Sequence, residues 1–275
     1  MKSFSFVGAL LVAALSTISS VHAEYVKSTE AVSATSANAM VMIDAGKDVA
    51  VPVYWMPNPA ATATVILLPG GAGEIGNYEG TGHPTSNNFL VRSRQMFEDQ
   101  GFNVVVMGAP TDMEGGLDWG DRVSSKHMDH IAKVIAFIKS KSDKPVWIVG
   151  TSRGTVSAAA AAIALGSQIS GIVLTSSVTH SKKSGTSVTG QNLSKVTVPV
   201  LVMHHVNDAC KVCVASEVPG MLKDFSGSAI KKMIIVSGGG NPTGDPCGNQ
   251  HYHGFIGLEQ EAVNTIGAWI KNPTI

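Results

Sequence analysis

Charge is scarce in this chain. Asp, Glu, Lys and Arg make up 15% of its 275 residues, and 20 basic side chains balance 20 acidic ones to a formal net charge of +0. A generic nucleic-acid binder needs a basic surface to meet phosphates, so that class is disfavoured. The balance also leaves no hint of an acidic tail or a polybasic arm. Past the N-terminal residues no run is long and apolar enough to make a membrane helix. No internal repeat and no domain linker is visible. Cysteine is rare too: Cys210, Cys213 and Cys247 are the three in the chain, all of them late.

What is present is apolar residue in quantity, 44% of the chain. That is too much for a disordered segment. One α/β domain of this length is ordinary, and it can bury a large core without metals or many disulfides. Glycine is abundant, at 29 residues, which points to tight turns and close backbone approaches.

The first residues read as a targeting segment. Met1-Lys2 is a short positive start, Phe4 to Leu15 is almost wholly apolar or small, and Val21-His22-Ala23 resembles an A-x-A cleavage site. The expectation is a secretory signal over 1–23, a loose polar leader over 24–45, and a single domain over 46–275. The mature protein would be exported, periplasmic or secreted, with no stable membrane insertion. No cysteine lies near the cut, which argues against a lipid anchor. An oxidising compartment permits disulfides. Cys210-x-x-Cys213 looks like a redox pair but lacks the βαβ start that a thioredoxin-like motif needs. The expected pair is Cys210 with Cys247, leaving Cys213 as the odd thiol; three reduced, buried cysteines are the alternative.

Short apolar runs alternate with helical patterns. Strands are predicted at 49–55, 64–68 (TVILL), 103–107 (NVVVM), 145–149 (PVWIV), 171–175 (GIVLT), 199–204 (PVLVMH) and 232–236 (KMIIV). Helices are predicted at 88–100, 127–139, 155–165 and 258–270. The pattern implies a mostly parallel sheet with helices on both faces.

Two glycine motifs compete. Gly71-Ala72-Gly73-Glu74-Ile75-Gly76 matches the dinucleotide fingerprint after a strand, yet turn-forming residues (NYEGTGHP) follow where a helix should begin. No acid stands at the end of the next strand to hold a ribose. A nucleotide cofactor is therefore not expected. Gly150-Thr151-Ser152-Arg153-Gly154 matches G-x-S-x-G. The pentapeptide alone is weak, since glycine is common here. Its context is strong: PVWIV runs into it and a helix rich in small residues, Ala158–Ala162, runs out. Strand, serine and helix in that order make a nucleophile elbow.

A serine hydroxyl needs a base and an orienting acid. Both are expected after the serine, in the order acid then histidine. PVLVMH leads into His205-Val206-Asn207-Asp208, which places Asp208 just past a late strand. KMIIV leads through a Gly/Pro loop to His251-Tyr252-His253-Gly254. Order and spacing thus give Ser152, Asp208, and either His251 or His253. The bland readings are Ser152 as a helix N-cap, Asp208 as a cap of the next segment, and a metal site on the H-x-H pair. No acid or third histidine at suitable spacing supports a metal. His204 and His205 are expected at the site edge or against the sheet. Asp112, Asp118, Asp121 and Arg122 are expected in a solvated loop at the same sheet edge.

LLPGGAG, VGTSRG, HHVNDAC and CGNQHYHGF together resemble the α/β-hydrolase superfamily, in particular secreted or periplasmic serine esterase-like members. The resemblance covers about residues 64–270. It implies the α/β-hydrolase fold with a minimal cap or none, Ser152 as nucleophile, Asp208 as acid, and His253, which precedes Gly-Phe, as base ahead of His251. The backbone N–H of Arg153 would be one oxyanion donor, and Gly71 or Ala72 the second. The chain has Pro69-Gly70-Gly71 where His-Gly is common, which leaves the second donor's identity open. Serine at the elbow argues against a thiol enzyme of the dienelactone-hydrolase kind. A Cys210–Cys247 bridge would tie the acid loop to the histidine loop. No cofactor is implied. The short polar stretch 176–198 argues against a large apolar lid, so the expected partner is a small or soluble ester; a peptidase or other acyl hydrolase, or an inactive binding protein of the same fold, are the alternatives.

Overall fold

Eight strands join in one sheet in a computed structural model that describes Met1, residues 37–181 and residues 186–275. The signal segment expected over 1–23 lies outside the described residues. The strands are β1 (Ala39–Gly46), β2 (Val49–Met56), β3 (Ala63–Leu68), β4 (Phe102–Met107), β5 (Val146–Thr151), β6 (Gly171–Thr175), β7 (Val200–His205) and β8 (Lys231–Val236). The helices are α1 (Phe89–Arg92), α2 (Arg94–Asp99), α3 (Ser125–Lys141), α4 (Arg153–Leu165), α5 (Val218–Asp224) and α6 (Glu259–Lys271). Sheet order is β1-β2-β4-β3-β5-β6-β7-β8. β1 and β2 pair antiparallel, as do β2 and β4, and every other pair is parallel.

The two-residue period of the parallel strands builds two cores. Along β3, Ile66 and Leu68 face one side while Val65 and Leu67 face the other. The first side packs on Ile131, Val134 and Ile135 of α3 and on the alanines of α4. The second packs on Phe89 and Leu90 of α1, Phe97 of α2, and Val263 and Ile266 of α6. Because both faces are covered, the central strands read as unbroken apolar runs.

Two expectations are corrected, and one helix was not expected. The leader expected over 24–45 ends by Ala39, where β1 begins, with Ile43 buried against the first core. Alternation over Met40–Ile43 is short, and pairing with β2 is what makes it a strand. The single helix expected at 88–100 is two: Asn88 caps α1 by accepting from Leu90 N–H at 3.1 Å, and the chain breaks at Ser93 (φ −93°, ψ 4°). Phe89, Leu90 and Val91 are consecutive and all buried within α1. Helix α5 carries too little periodic pattern in its seven residues to be foreseen.

The stretch from Ser176 to Pro199 holds only a 3₁₀ turn, Leu193–Lys195, among its described residues. Those described residues add no cap over the sheet. The parallel strands point their carboxyl ends to one edge, where open α/β sheets place ligands. The turn after β3, Ser152 after β5, Ser176 after β6 and Asp208 after β7 all lie there.

Closeness at the β5–α4 turn is enforced by glycine. A Cβ on Gly150 would strike the Gly154 carbonyl, and one on Gly154 would strike the Leu68 carbonyl. Both obstacles are backbone and cannot swing aside. Gly154→Ala is therefore expected to destabilise the fold by about 2–3 kcal/mol, read as a shift in the denaturant midpoint at unchanged slope.

Candidate active site

Ser152 sits between the last residue of β5 and the first of α4, with φ 52° and ψ −129°. A side chain at positive φ outside glycine is uncommon, and its persistence means that the surroundings over-determine it. The Ser152 N–H donates to Thr175 O at 3.1 Å, and its carbonyl accepts from Thr155 N–H at 2.9 Å. The serine thus marks the start of α4 without capping it by its side chain. A Cβ on Gly70 would stand 2.8 Å from the Ser152 Cβ, so the turn after β3 lies directly on the serine.

Asp208 is buried just past β7, three residues beyond His205. Its Oδ2 accepts from His253 Nδ1 at 2.9 Å and faces His204 Nε2 at 3.3 Å, while Oδ1 accepts from Cys210 N–H at 3.0 Å. Burial by itself would raise the carboxyl's pKa. The hydrogen bonds from His204 and His253, the charge on His253 and the Cys210 N–H outweigh it and hold Asp208 well below the ordinary carboxylate range. With Nδ1 donating to Asp208, the neutral form of the imidazole carries its free lone pair on Nε2. That atom is buried and has no hydrogen-bond partner among the described residues. Of the two histidines, His253 is therefore the one joined to the acid. His251 turns edge-on to Tyr252, 5.5 Å between ring centroids, and does not line the cleft.

The histidine loop is clamped from three sides. Ser176 Oγ donates to the His253 carbonyl at 2.8 Å, Arg92 Nη2 donates to the Gly254 carbonyl, and Phe255 packs on Phe89 at 4.8 Å between rings. The fourth tie is covalent. Cys210 and Cys247 form the expected disulfide, joining the acid loop to the loop before His253.

A cleft of about 190 Å³ opens over these groups. Ser152, His253, Gly71 and Ala72 line it, with Phe89 as the aromatic wall and Cys247 and Asn249 at the rim. Arg153 does not line it; its guanidinium lies 5.2 Å from the Trp119 ring centroid. The Arg153 N–H is the first of α4, a position with no intrahelical acceptor.

Several neighbours differ from expectation. Arg122, expected in a solvated loop, is 1% exposed and among the largest wholly buried side chains. Asp118 and Asp121 do form a surface turn, with Asp118 N–H donating to Asp121 Oδ2 at 2.8 Å, and Asp112 pairs with Lys126 at 2.9 Å. His204 is wholly buried, and its Nε2 is shared between Asp208 and the Cys213 carbonyl, 3.1 Å away. Its spacing of four from Asp208 was the available signal. His205 stacks flat on Tyr252 at 4.4 Å. Cys213, the free thiol, is buried beside Ser152; burial first, and then the Asp208 charge, push its pKa well up against a hydrogen bond with Ser152. One donor atom each of Cys210, Cys213 and His253 lies within 4.8 Å of the others. With Cys210 spent in the disulfide and His253 Nδ1 on Asp208, this set offers an ion too few free lone pairs in the oxidised protein.

No protein-family model and no curated protein sequence matches the chain. Solved structures do. A dienelactone hydrolase from Anabaena variabilis superposes with a TM-score of 0.64 at 13% identity, covering 87% of this chain and 99% of that one. A predicted CIB-like hydrolase from Thermoplasma acidophilum gives 0.58 at 16% identity over 86% and 99%. Est1E from Butyrivibrio proteoclasticus gives 0.56 at 15% over 85% and 98%. The fold is the α/β-hydrolase fold.

Two expectations follow from the bonds around Asp208. Its depressed pKa means that it contributes stability above the unfolded value near ~3.9, and that the contribution is lost as pH falls from there through the lower folded value. Denaturant midpoints measured from pH 6 down to 2 should fall more steeply in the wild type than in Asp208→Asn. Cys247→Ser should lower stability by about 2–4 kcal/mol, since the two loops lose their tie; an unchanged melting temperature would reduce the bridge to an ornament.

Proposed function

We propose that the chain is a serine hydrolase that cleaves carboxylic esters of small or soluble substrates through Ser152, His253 and Asp208. One observation carries the reading: Ser152, at positive φ on the β5–α4 turn, shares a cleft with a histidine whose Nδ1 is bonded to a buried carboxylate. In this reading His253 Nε2 takes the Ser152 proton as Oγ attacks the ester carbonyl. Asp208 holds the tautomer and stabilises the imidazolium. The tetrahedral oxyanion is met by backbone N–H groups of Arg153 and of Gly71 or Ala72, and loss of one such donor typically costs ~3–4 kcal/mol. Collapse expels the alcohol with the proton from His253, and water then releases the acid from the acyl-enzyme. The Ser152–His253 hydrogen bond is unmade at rest, as is common before substrate binds.

The size and lining of the cleft support a short acyl group. Its volume is below the ~300 Å³ at which pockets for drug-sized ligands begin, and its walls are mostly polar or glycine. Est1E, of the same fold, has been solved with ferulic acid bound, which is in keeping with ester chemistry on this scaffold. Export, supported by the disulfide, belongs to the same proposal.

A fluorophosphonate probe should label the wild type and not Ser152→Ala. Across p-nitrophenyl esters, kcat/KM should be highest for acyl chains of about two to four carbons and fall at least about tenfold by eight, as a cleft this small requires. Absence of labelling in both proteins would move a non-catalytic binding role to the front.

A further inference from the structure

In the turn that follows β3 the carbonyls are occupied, while among the described residues the N–H groups of Gly71 and Ala72 are not. Arg122 Nη2 donates to the Pro69 carbonyl at 3.2 Å and to the Gly71 carbonyl at 3.1 Å. The Gly70 carbonyl accepts from Gly73 N–H at 2.9 Å, and the Ala72 carbonyl from Leu117 N–H at 2.7 Å. No acceptor among the described residues takes the N–H of Gly71 or Ala72. In a trans peptide the C=O of one residue and the N–H of the next point in opposite directions. Tying the Gly71 carbonyl to Arg122 therefore turns the Ala72 N–H away from the guanidinium. Ala72 lines the Ser152 cleft, whereas Arg122 lines a separate small cavity on the far side of the turn with Pro69, Gly73 and Ser157.

Arg122 is an unusual group to bury for scaffolding alone. Desolvating a guanidinium is expensive unless it is paired, yet no ion pair to Arg122 occurs among the described residues. Its partners are two carbonyls and Ser157 Oγ at 3.1 Å, and its Nε has none. Ser157 Oγ lies in turn 3.1 Å from His127 Nε2. Burial, and then the Arg122 charge, lower His127 to about 3, so it is neutral and shares a hydrogen bond with the Ser157 hydroxyl. Burial and the like charge of Arg153 lower Arg122 itself to about 9, still cationic at neutral pH. A neutral donor would bridge the two carbonyls without that penalty. What a cation adds is polarisation: a positive charge on the Gly71 oxygen strengthens donation from the Ala72 N–H on the other end of the same peptide.

Resting on the esterase reading, we propose that Arg122 is the positioning residue of the oxyanion hole. It fixes and polarises the Gly71–Ala72 peptide so that the Ala72 N–H, rather than that of Gly71, is the second donor to the tetrahedral intermediate. The Arg122–Ser157–His127 chain holds the guanidinium in place behind it.

The test uses the mature full-length protein, wild type beside Arg122→Lys, Arg122→Met and Ser157→Ala, with active sites counted by fluorophosphonate titration. With p-nitrophenyl acetate, kcat per titrated site should fall roughly 10–100-fold in Arg122→Met, less than the roughly 10²–10³ lost when an oxyanion donor is removed outright. It should fall less in Arg122→Lys, which keeps charge but reaches one carbonyl at a time, and least in Ser157→Ala. KM should stay within about threefold, because the ground-state carbonyl leans little on the hole. Affinity for a trifluoromethyl ketone, which forms the oxyanion on Ser152, should weaken in parallel with kcat across the series. A purely structural role would lower the count of active sites and leave both quantities per site unchanged; that result, or a loss confined to KM, overturns the proposal. If neither Arg122 variant folds, unchanged ketone affinity in Ser157→Ala overturns it equally. A wild type that is neither labelled nor active would overturn the esterase reading itself, a distinguishable result.

Discussion

The backbone of Ser152 is the constraint on which the rest of the site depends. Holding a serine at φ 52° costs on the order of 1–3 kcal/mol. The turn persists because strand, helix and neighbouring turn approach to backbone contact, which only hydrogen in place of a Cβ allows at Gly70, Gly150 and Gly154. That closeness does two things. It lifts the serine side chain out of the sheet, and it presses the turn after β3 onto it. The alanine-rich face of α4 belongs to the same constraint, since larger side chains would push the helix off the first core.

Around this fixed point the polar groups are ordered by a buried carboxylate and a buried cation. Asp208 gathers His253, His204 and a backbone N–H, and its charge is retained because each of its oxygens has a partner. Arg122 gathers carbonyls on the opposite side of the serine. Both are desolvated, and removing a partner from either would leave a buried charge less compensated. Sidedness follows: Asp208 and His253 are held by the loops after β7 and β8 and tied by the disulfide, while the turn after β3 is held by Arg122 from the loop after β4. The cleft between is small and mostly polar.

The sequence carried the parts that local pattern encodes. Apolar runs of five or six residues and a glycine close on each side of Ser152 are short-range features, and the structure places the strands and the β5–α4 turn as that pattern implies. Boundaries were less legible: β1 needs β2 to exist as a strand, and the helical spacing over 88–100 runs through Ser93 without marking the break there. The Cys210–Cys247 pair was favoured from the sequence, but the buried place of Cys213 beside Ser152 was not.

By itself, then, the sequence determined the fold class and the serine at its elbow, because strand periodicity and turn chemistry act over a few residues. The tertiary structure alone decided which histidine meets Asp208, since His251 and His253 differ only in how a glycine-rich loop closes on Arg92, Phe89 and Ser176. It alone brought Arg122 beneath a turn some fifty residues earlier in the chain. A charged residue in a polar loop looks solvated in sequence, and its burial is settled by which carbonyls the fold carries to it.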